Sequence, residues 1–268
     1  MKTQMTKLAT TPLLRSRVRI GPVFIDPLTM EEAVGRILQL PAQGLDRACI
    51  VATVNAQFVH IASKQPRFAK VLANAELVVA DGMSVVLASR ILGRAVPERI
   101  TGVDLIVNLC AQAAQQDISV YFLGGKPGAA EETALRLLRS YPRLAIAGID
   151  CPEFGFEKSA AESAAVLRRI KEASPSIIFV GLGAPKQEFW MEQHAALFPG
   201  AVMMGVGGSF DMLAGDKQRA PLWIQQAGLE WLFRLWLEPR RLWKRYLLGN
   251  TKFLQILFEE WMRGRQLF

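Results

Sequence analysis

The sequence predicts an α/β fold in which helices cover both faces of a mostly parallel sheet. Short apolar runs, rich in β-branched residues, alternate with longer amphipathic runs over most of the chain. Strands separated by helical patterns of about 10–15 residues are typical of βαβ units, whose strands are buried on both faces. After about residue 212 no strand pattern occurs, and a helical pattern with proline breaks continues to the end.

The individual elements follow from local patterns. The segment RVRIGPVFI, at 17–25, alternates in polarity and is predicted to be one strand. Thr29 and Glu32 have the spacing of a capping box and predict a helix from there to about Leu40. Amphipathic runs such as 126–140 and 159–173 are predicted helices. Further strands are predicted at 48–53, 76–80, 118–124, 144–149, 176–182 and 201–206, which together predict a Rossmann-like sheet.

These patterns divide the chain into three parts. We expect a flexible N-terminus at 1–16, an α/β domain at 17–211 and a C-terminal helical appendage at 212–268. The first residues lack the continuous apolar stretch of a signal peptide. No run of about eighteen apolar residues predicts a membrane span, so the protein is expected to be soluble or to lie on a surface.

Charge and cysteine content limit the classes of partner. The chain of 268 residues carries a formal net charge of +8, which favours nucleotides, phospholipid surfaces or nucleic acid as partners. Cys49, Cys110 and Cys151 form no CxxC pair, so we expect a reducing compartment and no disulfide framework. The two histidines and the lack of a DxD sequence predict no metal site, and no cofactor is expected.

Glycines and polar residues gather at the carboxyl ends of the predicted strands, where parallel sheets bind ligands. Glycine turns before a helix allow backbone N–H groups to approach a phosphate, although many such turns serve only to reverse the chain. Neither a complete GxGxxG nor a GxxxxGK[ST] pattern is present. Several turns at one edge nevertheless favour a nucleotide-diphosphate ligand, with these candidates for binding it: Gly124, Gly125, Lys126, Gly183, Lys186, Gly207 and Asp211.

Asp81 follows one strand and precedes a helix, so its local pattern fits an N-cap and a catalytic base equally well. Thr53, Asn55 and Gln187 are likewise either turn and capping residues or part of a pocket. Asp211 is the second candidate for the base.

Seven blocks follow one another along the chain: TVNAQFVHIA, ADGMSVVLASRILG, ERITGVDL, YFLGGKPG, IIFVGLGAPKQE, GVGGSFDMLAGDKQRAP and GLEWLFRLWLEPRR. In order and spacing they resemble the WecG/TagA/CpsF family of bacterial glycosyltransferases (glycosyltransferase family 26), from about residue 18 to about 250. The resemblance implies an inverting, metal-independent enzyme. Such an enzyme moves a hexose or N-acetylhexosamine from a UDP-sugar to a polyprenyl-diphosphate-linked sugar.

The resemblance also implies a setting and residue roles. Relatives serve exopolysaccharide, teichoic acid or common antigen synthesis at the inner face of the cytoplasmic membrane, with mannosamine-type or glucose donors. A homo-oligomer is left open, and no nucleic acid partner is implied. Asp81 corresponds to the proposed general base, and Thr53, Asn55 and Gln187 correspond to residues that line the pocket. Basic residues of the helical ending complete the pocket, and the candidates for contacting the diphosphate are Arg234, Arg240 and Arg241.

The helical ending, GLEWLFRLWLEPRRLWKRYLLGN at 228–250, combines tryptophans with arginines. Between 240 and 248, basic side chains occupy one arc of a helical wheel and apolar side chains the opposite arc, which predicts a helix in a membrane interface. For 228–238, packing onto the α/β domain is an equal alternative. If 240–248 is a helix in a membrane interface, truncation after Leu237 is expected to leave a folded protein.

Two other classes of function are compatible with the sequence. One is a Rossmann-like oxidoreductase, against which the incomplete glycine fingerprint argues. The other is a nucleic-acid-binding protein that uses the basic, aromatic ending as a stacking surface. That second interpretation gives no purpose to the polar groups at the strand ends.

Overall fold

The structure, a computed structural model, describes residues 16–216, 218, 220–226 and 228–265. The strands of this part of the chain are β1 (Val18–Ile20), β2 (Val23–Ile25), β3 (Cys49–Val54), β4 (Leu77–Ala80), β5 (Ser119–Gly124), β6 (Ala145–Asp150), β7 (Ile177–Gly181) and β8 (Val202–Gly205). Within the described residues, the main sheet has six strands in the order β4-β3-β8-β7-β5-β6, and all its neighbouring pairs are parallel.

Helices connect the parallel strands and then continue alone after β8 in the described residues. They are α1 (Met30–Gln39), α2 (Ala56–Lys64), α3 (Pro66–Ala73), α4 (Met83–Ile91), α5 (Gly102–Ala113), α6 (Ala129–Ser140), α7 (Ala160–Ala173), α8 (Lys186–His194), α9 (Ser209–Leu213), α10 (Leu222–Gln226), α11 (Glu230–Leu237) and α12 (Pro239–Arg265). The capping box predicted at Thr29 and Glu32 is confirmed at the start of α1.

The core forms one apolar layer on each face of the main sheet. Successive residues of β3 illustrate this: Ile50 and Ala52 pack into one layer, and Val51 packs into the other. Every residue of β3 and β4 is buried, which explains why these strands appear in the sequence as continuous apolar runs. The predicted α/β class, with a parallel sheet covered on both faces, is confirmed.

The prediction of one strand at 17–25 is wrong. The segment forms the antiparallel hairpin β1–β2, which turns at Gly21, a residue with a φ of 57°. Val18, Ile20, Val23 and Ile25 are all buried, so the period-two pattern continues through the turn and conceals it. The hairpin lies beside β4, the edge strand of the main sheet.

Asp26 joins the end of this hairpin to the edge of the sheet. Its N–H donates to the carbonyl of Val78 at 2.8 Å, and its carboxylate accepts from the N–H of Val78 at 2.8 Å. Arg17 donates to the same carboxylate at 3.1 Å. These contacts occupy polar groups that would otherwise be exposed at the edge of β4.

The second half of α12 belongs to the core. Phe253 and Leu257 are buried and pack in the same apolar layer as α2. Glu260 accepts a hydrogen bond from the N–H of Gly21 at 2.6 Å, which ties α12 to the hairpin. We therefore expect truncation after Leu237 to destabilise the fold, in contrast to the expectation from sequence, since it would uncover α2.

The basic arc predicted at 240–248 falls largely on side chains outside the described residues; only Arg240 and Trp243 are described there, and both are exposed. No helix in the described ranges combines the length and apolarity that crossing a bilayer requires.

Phe253→Ala should lower the free energy of unfolding by about 3–5 kcal/mol, because it leaves a cavity between α12 and α2. Chemical denaturation monitored by circular dichroism measures this loss. Leu254→Ala is the matched control, since Leu254 is the next residue on the same helix and its side chain is exposed. Equal effects of the two substitutions would contradict the packing of α12 described above.

Candidate active site

A cavity of about 1150 Å³ lies at the carboxyl edge of the main sheet. Its wall includes residues that end or follow each strand of that sheet, together with residues of α11 from the helical ending. Most of the site residues predicted from sequence lie on this one wall: Thr53, Asn55, Asp81, Gly124, Gly125, Lys126, Gly183, Lys186, Gln187, Gly207, Asp211 and Arg234.

Asp81 follows β4, and its carboxylate is held from two sides. Oδ1 accepts from the N–H of Gly102 at 3.3 Å, and Oδ2 lies 3.5 Å from the side-chain nitrogen of Asn55. The residue that caps α4 is Gly82, so the N-cap interpretation of Asp81 is wrong. Burial raises the pKa of Asp81 above its ordinary value, against the opposing charge of Arg234. A carboxyl group with a raised pKa is suited to accept a proton.

Thr53 lies near the end of β3, Asn55 follows this strand, and both side chains are held by hydrogen bonds. The hydroxyl of Thr53 donates to the carbonyl of Gly205 at 2.8 Å, which links β3 to the end of β8. Asn55 is the N-cap of α2, where its side-chain oxygen accepts from the N–H of Gln57 at 3.0 Å. Its remaining side-chain nitrogen faces Asp81, so Asn55 both caps a helix and orients the carboxylate.

Gln187 is buried beneath two of the glycine turns. Its side-chain oxygen accepts from the N–H of Gly183 at 3.1 Å and from the N–H of Gly207 at 3.0 Å. Its side-chain nitrogen donates to Glu188 at 2.6 Å. Burial raises the pKa of Glu188 to about 7. One carboxamide thus connects the turn after β7 with the turn after β8.

The turn after β5 is also engaged with its neighbours. The N–H of Gly125 donates to the carbonyl of Gly181 at 3.0 Å, and the N–H of Lys126 donates to the carboxylate of Asp211 at 3.2 Å. These two amides, like those of Gly183 and Gly207, have acceptors within the protein. The expectation that glycine turns present their N–H groups to a phosphate is therefore not met at these four positions.

Cationic side chains lie on the wall at the same edge. Lys126 is exposed at the turn after β5. The ammonium group of Lys186 lies 2.5 Å from the carboxylate of Glu157 and 4.1 Å from the ring centre of Phe154. Phe154 and Glu157 belong to the loop after β6, so this loop and Lys186 border one end of the cavity together.

Glu230 attaches α11 to the α/β part of the molecule. Its carboxylate lies 2.7 Å from the guanidinium of Arg99 and also pairs with Arg234, which faces the cavity. Arg99 further donates to the side chain of Gln225 at 3.1 Å. Burial alone would raise the pKa of Glu230, but Arg234 and Arg99 outweigh it and hold that pKa below its ordinary value.

The three arginines predicted to contact a diphosphate therefore differ in position. Arg234 lines the cavity, and its charge favours the ionised form of Asp81. Arg240 is exposed at the start of α12 and is not among the described residues that line the cavity. The backbone of Arg241 lies in α12, but its side chain is outside the described residues.

Within the described ranges, no group of three or more His, Cys, Asp or Glu side chains is placed to hold a metal ion. Asp81, a carboxyl group with a raised pKa, shares the described wall with amides and cationic side chains.

Residues 18–267 match the model of the glycosyl transferase WecG/TagA/CpsF family. The chain belongs to this family. It is 36% identical over 202 residues to an N-acetylglucosaminyldiphosphoundecaprenol N-acetyl-beta-D-mannosaminyltransferase of Bacillus spizizenii, which covers 75% of this chain and 76% of that protein. Proteins of the same name from Bacillus subtilis and Staphylococcus aureus are 33% and 32% identical, over 79% and 90% of this chain and 80% and 90% of theirs.

This membership identifies the chain as a glycosyltransferase and decides against the oxidoreductase and the nucleic-acid-binding alternatives. Several residues of the candidate site were not predicted from the sequence. Gly102 lies in the block ERITGVDL, and Glu230 lies in GLEW. The sequence therefore indicated their motifs but not the residues that they contact. The loop after β6 follows a predicted strand, and the rule used for the other strand ends would have found it.

Proposed function

We propose that this glycosyltransferase moves a hexose or N-acetylhexosamine from a UDP-sugar to a polyprenyl-diphosphate-linked sugar, with inversion and without a metal ion. The position of Asp81 carries the proposal: a half-buried carboxyl group with a raised pKa lies on the cavity wall that also holds Arg234. A base and a cation on one wall are what an inverting displacement of a nucleotide requires.

Asp81 acts as the general base in this proposal. Its carboxylate takes the proton from a hydroxyl of the acceptor sugar as that oxygen attacks the anomeric carbon of the donor. The bond from the anomeric carbon to the UDP oxygen breaks on the opposite face, and the configuration inverts. The hydrogen bonds from Gly102 and Asn55 orient the carboxylate for this step.

The leaving diphosphate needs positive charge, and side chains on the cavity wall provide it. Lys126, Lys186 and Arg234 are cationic residues of the wall. The four turn amides described above have acceptors within the protein, so we assign them to shaping the wall rather than to binding phosphate. Fixed cations can stabilise the charge that develops on a departing phosphate in place of a metal ion.

The names of the relatives favour particular substrates. The three relatives described above are named as N-acetylmannosaminyltransferases that act on N-acetylglucosaminyl-diphosphoundecaprenol. We therefore propose N-acetylmannosamine as the first donor sugar to test, with N-acetylglucosamine on a polyprenyl diphosphate as the acceptor.

We further propose that helices α11 and α12 meet the inner face of the cytoplasmic membrane, where such an acceptor is anchored. Leu254, Phe258 and Met262 form an exposed stripe at intervals of four residues on α12, separate from the buried Phe253 and Leu257. The side chain of Trp236 on α11 is 75% exposed. Apolar and tryptophan side chains on the surface of a basic protein are typical of membrane-interface contacts.

A donor panel tests the proposed reaction. Purified protein, a short-chain polyprenyl diphosphate bearing N-acetylglucosamine, and one UDP-sugar at a time are mixed in excess EDTA, and released UDP is measured. We expect UDP release with one N-acetylhexosamine or hexose donor. Release with none of the donors, in EDTA and also with added Mg²⁺ or Mn²⁺, would contradict the function. Release that occurs only with added Mg²⁺ or Mn²⁺ would contradict metal independence.

Asp81→Asn should lower kcat by about two orders of magnitude or more, because the amide keeps the shape of the side chain but cannot take a proton. Steady-state kinetics with the active donor measures the loss, and isothermal titration with UDP shows that nucleotide binding survives. Activity near that of the wild type would overturn the assignment and make Asp211 the candidate base.

The double variant Leu254→Glu/Phe258→Glu should co-sediment with phosphatidylglycerol vesicles at least about tenfold more weakly, because charged side chains are costly at an apolar membrane contact. Its Tm should change by no more than about 2 °C, since both positions are exposed. Leu135→Glu is the control, because Leu135 is equally apolar and exposed but lies on α6. Equal loss in the control would reject the stripe as the contact surface.

A further inference from the structure

A carboxyl group with no direct role in the proposed reaction lies beneath the floor of the cavity. Glu188, in the first turn of α8, is fully buried. Its Oε1 accepts from the side-chain nitrogen of Gln187 at 2.6 Å, and its Oε2 has no hydrogen-bond partner among the described residues. Burying a carboxyl group with one oxygen unpaired costs free energy, which points to a role for its contact with Gln187.

The carboxamide of Gln187 works in only one orientation. With its oxygen toward Gly183 and Gly207, it accepts from both backbone N–H groups. Rotated by half a turn, it would present N–H donors to those two donors, and both turns would lose their shared acceptor. Glu188 selects the first orientation, because Oε1 is an acceptor for the amide nitrogen whether or not Oε2 carries a proton.

The main chain leaves room for this pair at Gly205, the last residue of β8. A Cβ atom at Gly205 would lie 2.6 Å from the side-chain nitrogen of Gln187 and 3.0 Å from Oε1 of Glu188. The carbonyl of Gly205 accepts from Thr53, which lies on the cavity wall. The side chains of Gln187 and Glu188 therefore pack directly against the backbone of Gly205, which is hydrogen-bonded to Thr53 of β3.

We propose that Glu188 is a positioning residue, whose carboxyl group orients Gln187 and thereby fixes the two glycine turns that border the donor. Its bearing on catalysis rests on the proposed function, because the turns after β7 and β8 line the cavity assigned to the UDP-sugar. The orientation of Gln187 itself does not depend on what the cavity binds.

Hydrogen exchange of individual backbone amides, followed by NMR, tests the orientation directly. Glu188→Met keeps the size of the side chain but removes the acceptor, and should speed exchange at Gly183 and Gly207 by at least about tenfold. The amide of Lys126, which is bound to Asp211 in a third turn, is the internal control and should not change. Glu188→Gln keeps an acceptor oxygen and should behave as the wild type.

Steady-state kinetics then measures how Glu188 affects the reaction. In Glu188→Met, KM for the UDP-sugar should rise about tenfold while kcat falls by less than about threefold, and Glu188→Gln should restore KM. In a Gln187→Leu background, adding Glu188→Met should change KM less than about twofold, since the group that it orients is already gone.

Hydrogen exchange and kinetics together decide whether Glu188 orients Gln187. Exchange that is unchanged at both glycines, or raised equally at Lys126, overturns the proposal, as does a lower Tm with unchanged KM. Selective exchange in a protein that uses no UDP-sugar would reject the proposed function and leave the orienting role of Glu188 intact. If Glu188→Met does not fold, the wild type decides: side-chain amide protons of Gln187 that exchange as fast as exposed ones overturn the proposal.

Discussion

All neighbouring strands of the main sheet run in the same direction, and the candidate active site depends on this constraint. In a parallel sheet, the segment after each strand emerges at the same edge, so strand direction alone brings residues that are far apart in sequence together there. Asn55, Asp81 and Gly183 follow three different strands and share one cavity wall. Burial on both faces holds the strands in register, and the apolar layers thereby position the polar residues.

The polar part of the site is stabilised mainly by contacts between side chains and the main chain. Thr53 bonds to a carbonyl of the neighbouring strand, and Gln187 joins two turns through their N–H groups. Ion pairs have a different part, because Arg99 and Glu230 attach the helical ending to the rim of the cavity. Hydrogen bonds to the main chain therefore hold the wall made by the sheet, whereas an ion pair holds the wall made by α11.

The sheet, most strand ends and the residues that follow them could be predicted from the sequence. Asp81 could be placed at the edge because a polar residue after a buried apolar run marks the end of a parallel strand. The turn at Gly21 was not visible, since alternation has the same period on both sides of it. Nor could any local pattern show that Phe253 packs on α2, because that contact joins segments far apart in the chain. The pairing of Glu230 with Arg99 was missed for the same reason.

The packing of α12 on α2 also sets an order of events during protein synthesis. The ribosome makes α2 (Ala56–Lys64) long before α12 (Pro239–Arg265), so the part of α2 that packs on α12 has no cover in the meantime. At about 5–20 residues per second, that interval is on the order of ten seconds. During that interval the nascent chain exposes an apolar part of α2 beside Asn55, which caps this helix and lines the cavity.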